Sequence, residues 1–367
     1  MRFNNNPYKK YNLYEFATRV TRKNKDNVSN LPLTISAQYG LVDQVSFFNK
    51  TVASKDMSGY YLLKNGEFAY NKSYSNDYPW GAIKRLDLYN MGCLSTLYIC
   101  FKSNDNIVNS NYLVHYFESP KWHKQVADIA GEGARNHGLL NIAVNDFFNT
   151  KHAVPTIENQ IKIARFLDLI EERIQTQIKI IEDYKVLKKK ISKQVIGSQK
   201  PNTHIYECLE NNSSSSKESD FDEYTEGQFP IYGANGVIKH INSYLIDIPS
   251  ISIVKDGAGV GRTRFLYGKY TVIGTLNYLT SKNGYDLLYL YYALDNLDFT
   301  KYIVGSGIPH IYFKDYKHEM IYIPKDEKTI NKIVRCLSSL DLLIHNEQNL
   351  LLYLTKQKEY LLNNMFI

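Results

Sequence analysis

Apolar side chains recur at steps of three and four along two stretches of this chain. From Pro155 they fall at Ile161, Ala164, Leu167, Ile170, Ile174, Ile178, Ile181, Tyr184, Ile191 and Val195. From Pro324 they fall at Ile330, Ile333, Leu337, Leu340, Ile344, Leu351, Leu354, Leu361 and Met365, an a/d heptad with polar breaks at Glu347 and Lys358. That period is the apolar stripe of a helix. Each stretch predicts a helix of about 40 residues, roughly 60 Å long at 1.5 Å per residue. Pro155 and Pro324 suit the first turn, where a missing N–H costs nothing. Glu158 and Glu327 place a carboxylate where the helix dipole favours it. A long helix with one apolar stripe has to bury it, and the two stripes are expected to pack on each other.

Elsewhere the period shortens. LYICF at 97–101, SISIV at 250–254 and YTVIG at 270–274 are β-branched or aromatic runs between glycine and asparagine turns, the signal of strands. Shorter helices are predicted near 111–117 and 286–294. The fold class is therefore α+β, with irregular, loop-rich sheets.

The two patterned stretches are copies of each other. Pro155 pairs with Pro324 and Glu158 with Glu327 at an offset of 169, and one added residue moves the offset to 170. Lys162 then matches Lys332, Ile163 matches Ile333, Leu167 matches Leu337 and Lys188 matches Lys358. What precedes each copy repeats more faintly. Asp146-Phe147 corresponds to Asp315-Tyr316, Gly131-Glu132-Gly133 to Gly305-Ser306-Gly307, Lys72 to Lys255 and Gly81 to Gly261. So long a period implies a duplicated module, a globular unit followed by a helix, and not a solenoid of short repeats. The expected division is 1–153 and 201–322 for the globular units, with 154–200 and 323–367 for the helices. A pseudo-twofold arrangement would make the helices antiparallel.

Composition narrows the class. With 44% apolar and 22% charged residues in 367 positions, this is ordinary globular composition, and too much chain for one core. No uncharged apolar run approaches the roughly 18 residues of a membrane span, so the expected location is cytoplasmic. Cys93, Cys100, Cys208 and Cys336 lack metal-ligand spacing and read as buried thiols in a reducing compartment. A net charge of +7 leans toward a polyanionic partner. The 31 tyrosines cluster with Asn, Lys and Gly, as in AYNKSYSNDYPW, where rings and hydrogen-bonding groups could face a nucleic acid. A bias toward Tyr, Asn, Lys and Ile from an AT-rich genome would produce the same counts.

Catalytic constellations are absent from the sequence. KDGAGVGR at 255–262 has the glycines of an anion cradle but neither the spacing of a dinucleotide fingerprint nor the Lys-Ser/Thr of a Walker loop. Asn6-Pro7-Tyr8 only partly matches an adenine-methylase loop. His137 and His310 stand alone after their glycine runs, as loop histidines do.

Taken in order, VPTIENQIKIARFLDLIEERI, FPIYGANGVIKHINSYLID, SISIVKDGAGVGR, GSGIPHIYFKDYKHEMIYIP, IPKDEKTINKIVRCLSSLDLLI and KQKEYLLNNMF resemble the specificity subunit of type I restriction-modification enzymes over essentially the whole chain. The resemblance implies two target recognition domains, each reading half of a split site in double-stranded DNA, held apart by an antiparallel two-helix spacer. It implies no chemistry and no cofactor in this chain. S-adenosylmethionine would belong to two adenine-methylating modification subunits docked on the helices, and ATP and Mg to two restriction subunits. The candidate DNA-binding residues are Gln38, Tyr39, Asn71, Lys72, Tyr74, Tyr78, Trp80, Lys84 and Arg85 in the first unit. In the second they are Tyr232, Asn235, Lys255, Asp256, Arg262 and Arg264, with His310 behind them. The first unit lacks the glycine-rich KDGAGVGR, so the two half-sites should differ, and KDEKTINK departs from the first helix start, so the two docking surfaces need not be equivalent. A coiled-coil adaptor with protein-binding heads is the alternative, and it accounts for the helices alone.

Overall fold

The computed structural model describes residues 8–36, 39–50, 52–75, 78–130, 135–136, 139–222, 227–282 and 284–366. The chain forms two compact units. One takes the chain up to Gln177 and the stretch from Leu350 on, and the other is Ile178–Asn349. Each unit thus holds one globular part, one end of the helix Ile157–Ser192 and one end of the helix Glu327–Asn364.

In the first unit an antiparallel sheet runs in the order Ala17–Arg19, Ile99–Ser103, Phe68–Asn71, Ala82–Arg85. Its apolar face carries Phe68 stacked on Phe101 at 5.3 Å, and Tyr70 stacks on Phe147 at 5.0 Å. The same core receives Ile163, Ala164 and Leu167 from the first long helix, Leu362 from the second, and Phe366 from just beyond its end. Early residues of one helix meet late residues of the other, so within this unit the helices are antiparallel.

The second unit repeats the plan. Its sheet runs Leu209–Ser213, Leu276–Ser281, Ser250–Val254, Thr263–Leu266, all antiparallel. A smaller sheet of Gly236–Ile241, Phe229–Gly233 and Thr271–Val272 sits in the same unit. Ile251, Ile253, Leu279, Tyr289 and Leu290 form a core with Ile196 of the segment closing the first long helix and Ile333 and Leu337 of the second. Here too the end of one helix meets the start of the other.

The predicted strand at 250–254 is Ser250–Val254, that at 97–101 is shifted to Ile99–Ser103, and only Thr271–Val272 forms of the run at 270–274. The predicted short helices are Ser110–Tyr116 and Leu287–Leu294. Phe147 and Tyr316, matched in the repeat, are both buried on short helices.

The long-helix seam corrects two sequence assignments. Ile161 is half exposed, and the seam runs through Gln160, Ile163, Leu167, Ile170, Ile174, Gln177 and Ile181, so Gln160 and Gln177 are buried polar members of the heptad. Lys358 is a partner and not merely a break. Its Nζ lies 2.6 Å from Glu171 Oε2 and 3.6 Å from Glu118 Oε2. Burial works against that charge, but Glu118 and Glu171 outweigh it and raise the lysine's pKa. In the second unit Lys188 bonds Asp341 at 2.6 Å, and Tyr292 donates to the same carboxylate at 2.8 Å. Lys188 and Lys358, like Glu171 and Asp341, are equivalent in the repeat, so the module carries its ion pair in both copies. Cys93, Cys100 and Cys208 are buried, whereas Cys336 is exposed on the solvent side of the second long helix and departs from the expected burial.

Candidate nucleic-acid interface

In the second unit the hairpin of Ser250–Val254 and Thr263–Leu266 presents the glycine-rich loop. Gly257, Gly259 and Gly261 have φ of 87°, 85° and 84°. Side chains with a Cβ rarely adopt that region, so the three glycines let the loop turn sharply between paired strands. The Arg262 guanidinium folds back over Gly259, where an added Cβ would lie 2.4 Å from its Nη2. Lys255 Nζ lies 3.2 Å from Asp256 Oδ2. The segment at His310 props the loop from behind, since Ile311 N donates to Lys255 O and Gly257 N to Pro309 O, both at 2.9 Å. His310 itself exchanges backbone bonds with Val304 and makes a 3.1 Å contact from Nδ1 to Ile308 O. It holds the loop in place.

Arg264, on the next strand, lies over the Tyr232 ring with Cζ 5.9 Å from its centroid. Burial raises the Tyr232 pKa against the lowering pull of Arg264, so the phenol stays neutral. An added Cβ on Gly236 would come 3.6 Å from Arg264 Nη2, so the guanidinium also adjoins the Asn235-Gly236 turn. Among the described residues neither Arg262 nor Arg264 forms an ion pair within ion-pair distance of a carboxylate. Tyr232, Asn235, Lys255, Asp256, Arg262 and Arg264 are thus gathered on one hairpin and the neighbouring turn.

The first unit treats its candidates differently. Asn71 ends the strand Phe68–Asn71, and Lys72, Tyr74, Tyr78 and Trp80 follow in the connection to Ala82–Arg85. Gly81 closes it at φ 75°, where a Cβ would meet Asn71 O at 2.1 Å. Trp80 and Tyr74 pack partly on the core, and the Trp80 carbonyl accepts from Tyr70 Oη at 2.8 Å. Lys72 O accepts from Leu140 N at 2.9 Å, the counterpart of the Lys255–Ile311 bond. Tyr39 is well exposed in a separate hairpin turn, and Gln38 lies outside the described residues, as do His137 and Gly131-Glu132-Gly133.

Lys84 and Arg85 are already engaged. Lys84 is paired with Glu118, whose ionisation is opposed by burial but held by Lys84 and Lys358. Arg85 bonds Asp87 at 2.6 Å, Ser110 at 2.9 Å and Asn111 at 2.7 Å. The strand pairing places both at the end of the sheet away from the 72–81 connection. Sequence proximity had grouped them with a loop from which the strand carries them away.

Two cationic features escaped the sequence. Lys269 Nζ sits 4.6 Å from the Tyr244 centroid and 5.9 Å from that of Phe229. In the first unit Arg19, Arg22 and Lys102 line an open cleft of about 410 Å³, with Arg22 held by Glu67 at 2.8 Å. Both assemble residues far apart in the chain, and only the adjacency of Tyr267-Gly268-Lys269 hinted at either. No group of three or more His, Cys, Asp or Glu among the described residues is placed to hold a metal.

Residues 203–361 match the family model described as the type I restriction modification DNA specificity domain. That stretch is similar to this family. It contains every candidate of the second unit and none of the first. No curated protein matches the sequence. The type I restriction-modification S subunit from M. genitalium has a similar fold, with a TM-score of 0.63 at 16% identity, covering 100% of this chain and 98% of that one. A chain from work on complex assembly and conformational transition of the type I R-M system gives a TM-score of 0.58 at 16% identity, covering 97% and 96%. At that identity the likeness establishes the fold alone, over the whole length of the chain. No helix among the described residues is long and apolar enough to cross a membrane.

Proposed function

We propose that this chain reads a bipartite DNA target, one half-site per unit, and carries modification subunits on its long helices. The observation that carries the reading is Arg264 on Tyr232 beside the Asn235-Gly236 turn, within a DNA specificity domain. A guanidinium steadied by a ring and free of carboxylates suits bidentate contact with guanine O6 and N7. Arg262 and Lys255 at the glycine loop suit phosphate contacts that set position. The first unit offers tyrosine, asparagine and one lysine where the second offers arginines, so the half-sites should differ.

Docking is supported by apolar groups that the helices leave in solvent. Ile157, Ile161, Leu169, Leu352 and Tyr353 are exposed in the first unit, and Val186, Leu187, Leu342 and Leu343 in the second. Solvated helix faces are usually polar, so these residues fit a protein surface.

The test is a footprint of the chain alone and with modification subunits. Assembly should give salt-sensitive protection of two separated tracts, with log K falling by about 0.9 per phosphate contact for each decade of salt. Protection of no bipartite site would remove the reading. Salt-insensitive partner binding with no DNA dependence would favour the adaptor.

A further inference from the structure

The two copies of the module differ at one buried joint. In the first unit Gln160 occupies the fourth helical position, four residues after Thr156, whose carbonyl accepts its N–H at 3.0 Å. Its side chain is buried and fully engaged. Oε1 accepts from Asn109 N at 2.7 Å, and Nε2 donates to Ile107 O at 3.1 Å and Pro155 O at 2.8 Å. Asn109 in turn caps the helix Ser110–Tyr116 through Tyr112 N.

The second unit keeps the capped short helix and the long-helix start, but lacks the glutamine and has one residue more, Lys325, between the proline and the helix. Asp286 caps Leu287–Leu294 through Tyr289 N at 2.8 Å, as Asn109 does, so Gly284 stands where Ile107 stands. Ile330 N bonds Asp326 O at 3.4 Å, which puts Ile330 at the position of Gln160. Pro324 matches Pro155 in the repeat, although the carbonyl five residues before Ile330 is that of Lys325. Gly284, Asp286, Pro324 and Ile330 all line one cavity of about 350 Å³, with Glu327 and Asn331 at the helix start. An isoleucine side chain has no atom that can bond the backbone groups a glutamine bonds in the other copy.

We infer that this cavity receives a carboxamide side chain, a glutamine or asparagine, presented by the modification subunit docked at the start of the second long helix. The occupant follows from the other copy, where a carboxamide fills the equivalent place in cis. The inference rests on the docking part of the proposed function.

The chemistry is tested in the full chain by Ile330→Gln. A crystal structure should show the new amide inside the cavity, bonded to the backbone of Asp286 and Gly284, and an amide turned to solvent overturns the proposal. The partner is tested by titrating modification subunit against wild type, Ile330→Gln and Asn331→Trp, the last an exposed position whose bulk blocks the mouth without touching the core. Each variant should weaken assembly at least tenfold, and wild-type affinity in both overturns the site. A photo-crosslinker at position 331 should capture a modification-subunit peptide holding Gln or Asn. Capture of a second copy of this chain, or of a peptide with neither residue, overturns it. If wild type fails to assemble at all, the docking reading itself falls, and this inference with it, whatever the Ile330→Gln structure shows.

Discussion

Arg264 is the side chain on which DNA reading should most depend. Arg264→Ala in an assembled complex should lower affinity for the specific site by about 1–3 kcal/mol, roughly fivefold to 150-fold, and relax discrimination at one base pair. Arg264→Lys should not restore it, because a point charge lacks the planar fork. Competition binding against single-base variants of the target measures both. His152 governs a different property. It is buried between Tyr116 Oη at 2.7 Å and Thr150 Oγ1 at 2.8 Å, and burial pushes its pKa from 6.5 down to about 4. The folded imidazole stays neutral where the unfolded one protonates. Its stability contribution is therefore present above 6.5 and is lost as pH falls toward 4, to a limit of about 3 kcal/mol. Glu118 and Glu171, both held below the ordinary carboxylate range despite burial, add acid sensitivity of the same sign. Trp80 and Trp122 both lie in the first unit. Their fluorescence in urea titrations at pH 7 and pH 5 should show the first unit losing stability, and His152→Gln should flatten much of that difference.

Among the elements, the long helices owe their register to a repeated polar pair as well as an apolar seam. Lys358 faces Glu171 and Glu118, and its removal leaves two partly buried carboxylates without their cation. Breaking a fully buried pair costs about 3–5 kcal/mol. Glu171 is about a third exposed, so solvent screening lowers the expected cost of Lys358→Ala to about 1–3 kcal/mol, read from urea midpoints. The heptad was legible, because the 3.6 period needs only a one-dimensional pattern. Which of Gln160 and Ile161 sits in the seam was not. Hydrophobicity favours Ile161, and the choice goes to Gln160 because two backbone groups at the neighbouring helix and one at its own helix start are met by an amide.

For the whole molecule, the proposed function makes the long helices a ruler between half-sites. Inserting four residues within 171–190, together with a matching insertion in the second helix, adds about 6 Å of helix. Methylation mapping in a host carrying the variant should find both half-sites unchanged and the spacer between them longer. A changed half-site at constant spacing would contradict the ruler. The same logic separates the units, since exchanging residues 227–282 should alter one half-site alone.

The sequence by itself determined the duplication, the helices, the strand-rich character of the units and the absence of recognisable catalytic motifs. These follow from periodicity and spacing, which are properties of the chain taken in order. Tertiary structure decided which candidate cations remain available. Lys84 and Arg85 stand five residues or fewer from Trp80, yet the strand carries them to Glu118 and Asp87. Arg264 and Tyr232 are far apart in the chain, yet they meet. Whether a charge is spent inside the protein or left for a ligand depends on the partners that folding brings to it, and those lie too far along the chain for any local pattern to name.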